Sequence, residues 1–65
     1  MELSNNVGQF ARLVNEQELA GQLSISVATI RRWRLLRQGP KWVKLGSAVR
    51  YRPEDVQAYI NGRAV

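Results

Sequence analysis

Leu23-Ser24-Ile25-Ser26-Val27-Ala28-Thr29-Ile30-Arg31-Arg32-Trp33-Arg34 is the stretch on which the reading of this chain turns. Ser24-Ile25-Ser26 has the composition of a turn running into a helix start, since a serine hydroxyl can accept from the backbone N–H groups that open a helix. Gly39-Pro40 supplies a stop further on, because glycine tolerates the left-handed conformation and proline cannot continue the hydrogen-bond ladder. These signals predict a helix over residues 27–38. Projected at 3.6 residues per turn, Ile30, Trp33 and Leu36 share one side, with Thr29 at its edge, while Val27, Ala28, Arg31 and Leu35 point the other way. The first side is expected in the core, with Trp33 between the two helices that meet here. The second side carries small residues and arginine, which lets a helix approach a groove closely and set guanidinium groups against phosphate or guanine edges.

Upstream, Asn15 can cap a helix and Glu18 lies in capping-box register with it, while Glu16 falls in the first turn, where the helix dipole favours an anion. A helix over 16–23 follows, with Leu19, Leu23 and Ala20 as a narrow apolar stripe that a second helix can cross closely. Two helices joined by a short turn, the second bearing arginines, make a helix-turn-helix in which the first braces and the second reads.

Downstream of Pro40 the hydrophobic period drops to two. Trp42-Val43-Lys44-Leu45 and Val49-Arg50-Tyr51-Arg52 alternate around Gly46-Ser47-Ala48, the pattern of a hairpin with a short glycine-containing loop. On this count Val43, Leu45, Val49 and Tyr51 face the core, Lys44, Arg50 and Arg52 face outward or lie at the edge, and Trp42 falls on the less buried face. Pro53 suits a first helical position, Glu54 and Asp55 suit the first turn, and Val56, Tyr59 and Ile60 form a stripe at helical spacing. A last helix is expected over 53–61, closing the core under the hairpin.

The fold class expected is therefore mainly α with a small β-hairpin: a winged helix-turn-helix with a two-stranded wing and a C-terminal helix. Residues 1–12 read as a flexible N-terminal arm, 13–62 as the DNA-binding domain and 63–65 as a tail. The chain has 65 residues, so one domain accounts for it. Ten Lys and Arg against five Asp and Glu give a formal charge of +5, which makes double-stranded DNA the first partner to consider. With no cysteine and no histidine, disulfides, thiolate nucleophiles, the usual zinc sites and the neutral-pH proton shuttle are missing, so no enzyme is expected. Ser24, Ser26 and Ser47 have no evident base, and the adjacent Glu54 and Asp55 are explained by the helix dipole. No metal, cofactor, small-molecule substrate or membrane is expected, and the location is expected to be cytoplasmic. Val27, Ala28 and Arg31 are candidates for base-edge contacts. Ser26, Thr29, Arg32, Arg34, Lys41, Lys44, Ser47 and Arg50 are candidates for the DNA backbone. The competing reading is a non-catalytic adaptor, such as a small DNA-packaging or assembly subunit, using Leu35, Trp42 and the apolar arm as a protein surface.

Several stretches, taken in order, resemble a known family. Glu18-Leu19-Ala20, Leu23-Ser24-Ile25-Ser26, Thr29-Ile30-Arg31-Arg32-Trp33, Gly39-Pro40, Val43-Lys44-Leu45-Gly46, Val49-Arg50-Tyr51 and Pro53-Glu54-Asp55-Val56 are similar to the small winged helix-turn-helix domains related to the MerR regulators. The likeness is greatest to the excisionase and AlpA-like group of phages and mobile elements. The resemblance implies a second helix in the major groove and a wing on the backbone or minor groove. It also implies a role in tilting recombination toward excision or in regulating transcription, with a phage-type integrase or further copies of the chain as partners. Ser24 departs from the pattern, which commonly has glycine at that place, so the turn there must differ or carry strain.

Overall fold

A computed structural model describes residues 13–64; the expected arm over 1–12 lies outside the described residues. Asn15 opens α1 (Glu16–Leu23): its side chain accepts from the Glu18 backbone N–H at 2.8 Å, and Glu18 Oε1 accepts from the Asn15 N–H at 2.9 Å. This is the expected capping box, which satisfies two otherwise orphaned donors. The helix ends in a Schellman arrangement, in which the Ile25 N–H donates to Ala20 O and the Ser24 N–H to Gly21 O. Ser24 itself is left-handed, with φ 57° and ψ 40°. The turn is thus the one glycine would make, held by a serine under strain.

Relief of that strain is measurable. Ser24→Gly is expected to stabilise the domain by about 0.5–1 kcal/mol, the left-handed penalty of ~1–2 kcal/mol being partly offset by the added freedom of the unfolded chain. Urea melts of the two proteins test this, and a less stable variant would show that the serine hydroxyl supports the turn.

Ser26 caps α2 (Val27–Leu35), its Oγ accepting from the Thr29 N–H at 3.1 Å. The helix stops three residues before the expected end. Arg37 takes the left-handed conformation at φ 56°, the Gln38 N–H donates to Trp33 O at 2.7 Å and the Arg37 N–H to Arg34 O at 3.2 Å. A second Schellman motif therefore ends the helix, with arginine where glycine is usual. Gly39, at φ +81°, is needed for space, because a Cβ there would come within 2.6 Å of Trp33 Cε3. It lets the chain close over the indole ring.

The core is built from Leu19 and Ala20 of α1, Ile30 of α2, Tyr51 and Val56. Small Ala20 lets the two helices cross closely. The face assignments of α2 hold for Ile30 but need correction elsewhere. Val27 is half-buried and packs on the core, and Leu36 is 52% exposed. Trp33 packs on the core cluster that Leu19, Ala20 and Ile30 help to build, and it also meets Tyr59 of the last helix, ring centroids 5.5 Å apart, so it joins α2 to that helix as well.

The wing is an antiparallel pair, β1 (Val43–Leu45) and β2 (Ala48–Arg50), in the register Val43↔Arg50, Lys44↔Val49, Leu45↔Ala48. The loop is Gly46-Ser47, one residue shorter than expected. A shift of one residue exchanges the faces of β1 relative to β2. Because directly opposed residues share a face, Lys44 lies with Val49, and by alternation with Tyr51, on the inner side. Val43, Leu45 and Arg50 share the outer side, and Leu45 is 55% exposed. The expectation that Val43 and Leu45 face the core, with Lys44 outside, is corrected accordingly. Tyr51 also exchanges both backbone hydrogen bonds with Val14, at 2.9 and 2.8 Å, tying the segment before α1 to the edge of the wing.

Helix α3 (Pro53–Arg63) begins with Pro53 in its first turn and runs two residues past the expected end, so Arg63 belongs to the helix. Its guanidinium lies 4.7 Å from the Tyr59 ring centroid, a cation–π contact that extends the final turn.

Candidate nucleic-acid interface

The exposed residues of α2 are Ala28, Arg31, Arg32 and Leu35. Their spacing of i, i+3, i+4 and i+7 makes one continuous stripe along the helix. Arg31 and Leu35 of this stripe line a cleft together with Arg34 and, on the wing side, Trp42, Lys44 and Val49. Its lining joins apolar Leu35, Trp42 and Val49 to the cations Arg31, Arg34 and Lys44.

Arg31 does not extend freely from this surface. Its Nε donates to both carboxylate oxygens of Glu16, at 3.2 and 3.0 Å, and its Nη2 donates to Oε2. Arg34 donates from Nη2 to Glu16 Oε1 at 3.1 Å and from Nη1 to the hydroxyl of buried Tyr51 at 3.2 Å. One carboxylate at the start of α1 therefore holds two arginines of α2, and the second of these reaches the wing. The Arg31 side chain remains 59% exposed, whereas that of Arg34 is 20% exposed.

Electrostatics follow the geometry. The hydrogen bond from Arg31, and then that from Arg34, hold the Glu16 carboxyl below its ordinary 4.5, with burial opposing them. The hydrogen bond to Glu16 raises the pKa of Arg31; Tyr51, followed by Glu16, raises that of Arg34. A carboxyl whose folded pKa is depressed stabilises the fold above its unfolded value and loses that contribution as pH falls through the folded value. Acid melts should therefore show the wild type losing stability from about pH 4.5 downward more steeply than Glu16→Gln does. Parallel curves would mean that the exposed side of the network is screened by solvent.

Of the candidate contact residues, Ala28, Arg31 and Arg32 lie on the exposed stripe, and Lys44 lies across the cleft. Ser47 is at the wing tip and Lys41 is exposed before β1. Ser26 and Thr29 meet at the start of α2, their hydroxyl oxygens 2.9 Å apart. Val27 packs inward, and Arg34 is held by internal partners. Arg50 lies on the outer wing face with Nη1 donating to Val49 O at 2.8 Å. Among the described residues, Arg32 and Lys44 have no ion-pair partner. Glu16 is the residue that sequence reasoning missed, since its place in a first turn already had an adequate explanation in the helix dipole. The arginines at i and i+3 offered the only hint that one anion could bridge them.

Two helices joined by a tight turn, with an arginine-bearing second helix and a two-stranded wing beside it, define a winged helix-turn-helix, a DNA-binding class of fold. A family model described as "Helix-turn-helix domain" matches residues 12–64, and the chain belongs to that family. No curated protein and no solved structure matches the chain. Among the described residues no helix is long and apolar enough to cross a membrane.

Proposed function

We propose that this chain is a sequence-specific, non-catalytic binder of double-stranded DNA that serves as an excisionase-like directionality factor or a small transcriptional regulator of a phage or mobile element. The observation that carries the reading is the exposed Ala28–Arg31–Arg32–Leu35 stripe of α2, of which Arg31 and Leu35 share a cleft with Lys44 of the wing. In this arrangement α2 lies in the major groove, with Ala28 and Arg31 at base edges. Arg32, Lys41, Lys44 and Ser47 lie at phosphates, and the capped start of α2 adds Ser26 and Thr29. Arg34 serves the interior of the site, and Val27 serves the core. The MerR-related resemblance supports the choice of these two roles, both of which use the same reading helix.

Footprinting on DNA flanking the gene, including any attachment site, is the test. A protected array beside integrase sites supports excision, with an integrase or further copies as partners, and a single promoter site supports regulation. Protection indifferent to sequence would overturn the specific-binding reading.

The exposed apolar side chains favour a second reading. Leu35 is 84% exposed, Leu45 55% and Trp42 40%, which is a large apolar display for so small a domain. If these cover a partner, the chain is an adaptor in DNA packaging or assembly. Size-exclusion chromatography with and without a duplex separates the two readings: association without DNA supports the adaptor, and DNA-dependent association supports the first reading.

A further inference from the structure

Arginine has five N–H donors in a rigid planar fork. In Arg31 the Nε–H and the neighbouring Nη2 hydrogen, which lie along one edge of the guanidinium, both face the carboxylate of Glu16. That leaves the Nη1 hydrogens and the second Nη2 hydrogen, and the end of the fork formed by Nη1 and Nη2 has the spacing that engages guanine O6 and N7 together. The carboxylate is itself immobilised. It sits at the first position of α1, and its Oε1 also accepts from Arg34, whose other nitrogen is anchored on the buried Tyr51 hydroxyl.

We propose that Glu16 is a positioning residue for base readout, clamping the side edge of Arg31 so that the end of its fork is presented to a guanine, and that the DNA target carries a G·C pair at that place. This rests on the proposed placement of α2 in the major groove. A free arginine side chain samples many rotamers, and restricting it before DNA arrives lowers the ordering cost of the bidentate contact. Arg34 is not a DNA contact in this scheme: it fixes Glu16, which fixes Arg31. Selectivity at one base pair then depends on a residue of the bracing helix that touches no DNA. Placing an acid this close to the groove also has a selective effect, since a carboxylate that pairs with Arg31 diminishes its general attraction to phosphate.

The test starts from duplexes selected by the wild-type chain out of a random pool, with the G·C pair then changed to each alternative and with 7-deazaguanine replacing guanine to delete N7. The wild type is expected to lose about tenfold or more on each of these changes, the range of a good bidentate contact. Glu16→Gln is expected to flatten that preference while holding or raising affinity for unselected duplexes. Arg31→Lys, which keeps the charge without the fork, is expected to flatten it as well. Should Glu16→Gln be unfolded by circular dichroism, Glu16→Asp replaces it; its shorter reach is expected to weaken the guanine preference in a folded protein. A preference surviving loss or shortening of the Glu16 side chain overturns the proposal, as does a uniform rise in affinity on all duplexes, which would make Glu16 a simple repulsive charge. Selected sites without a guanine sensitive to N7 deletion overturn it too. If the wild type binds no duplex, the DNA reading itself fails, a result distinct from selective binding that ignores Glu16.

Discussion

Trp33→Ala is expected to leave much of the protein unfolded at room temperature. The indole packs on the core, meets Tyr59 of α3 at 5.5 Å and fills the space over which Gly39 closes. Deleting a core tryptophan costs ~3–5 kcal/mol, and the half-buried position of Trp33 argues for the lower end, about 3 kcal/mol. A domain of this size has a margin of only ~3–5 kcal/mol, so the loss is comparable with the whole. Gly39, which closes over the ring, has no side chain with which to fill the gap. Thermal melts followed by circular dichroism, with a duplex-binding assay alongside, check the expectation. A variant that melts like the wild type but has lost DNA would turn Trp33 into a contact residue and overturn the core assignment.

What the sequence made legible was mostly local. The Asn15–Glu18 capping box, the bounds of α1, the Ser26 cap and the start of α3 at Pro53 each depend on residues within one helical turn of one another, and each is present as expected. The end of α2 was not legible, because the chain turns at Arg37 in a conformation that arginine seldom adopts, while the more conspicuous Gly39-Pro40 pair lies beyond it. In the wing, the alternation of residues was readable but the register was not. Counting three loop residues instead of two put Lys44 on the wrong side, and only the pairing Lys44↔Val49 fixes it. The link from Glu16 to Arg31 and Arg34 spans two helices, and the spacing of the two arginines does not say which anion meets them. The candidate site was therefore readable as a stripe on one helix, but the internal partners that hold Arg34 and orient Arg31 are tertiary facts.

Replacing two of the three cations that line the cleft, in an Arg31→Ala and Lys44→Ala double variant, is expected to reduce specific binding by well over tenfold. Arg31 accounts for the larger share, since a bidentate base contact is worth ~1–3 kcal/mol, and its loss should be greater on the specific site than on scrambled DNA. Lys44 should act alike on every duplex, because it lies with Val49 on the wing face turned toward α2, where a phosphate flanking the groove would pass. Losing that one phosphate contact should make the log–log salt slope shallower by about 0.9 through reduced counterion release. Arg50→Ala is the informative contrast. Its side chain lies on the opposite face of the hairpin and donates to the Val49 carbonyl, so its removal should leave the slope nearly unchanged. Lys44→Ala should not shift the melting temperature by much, since an exposed charge contributes little to folding. Titrations of the single and double variants across a salt series measure the binding effects, and thermal melts measure the stability. Equal slope changes for Lys44 and Arg50 would show that the tip of the wing, and not its inner face, meets the backbone. No change for either would take the wing off DNA, leaving Leu45 and the outer strand face as a surface for another protein.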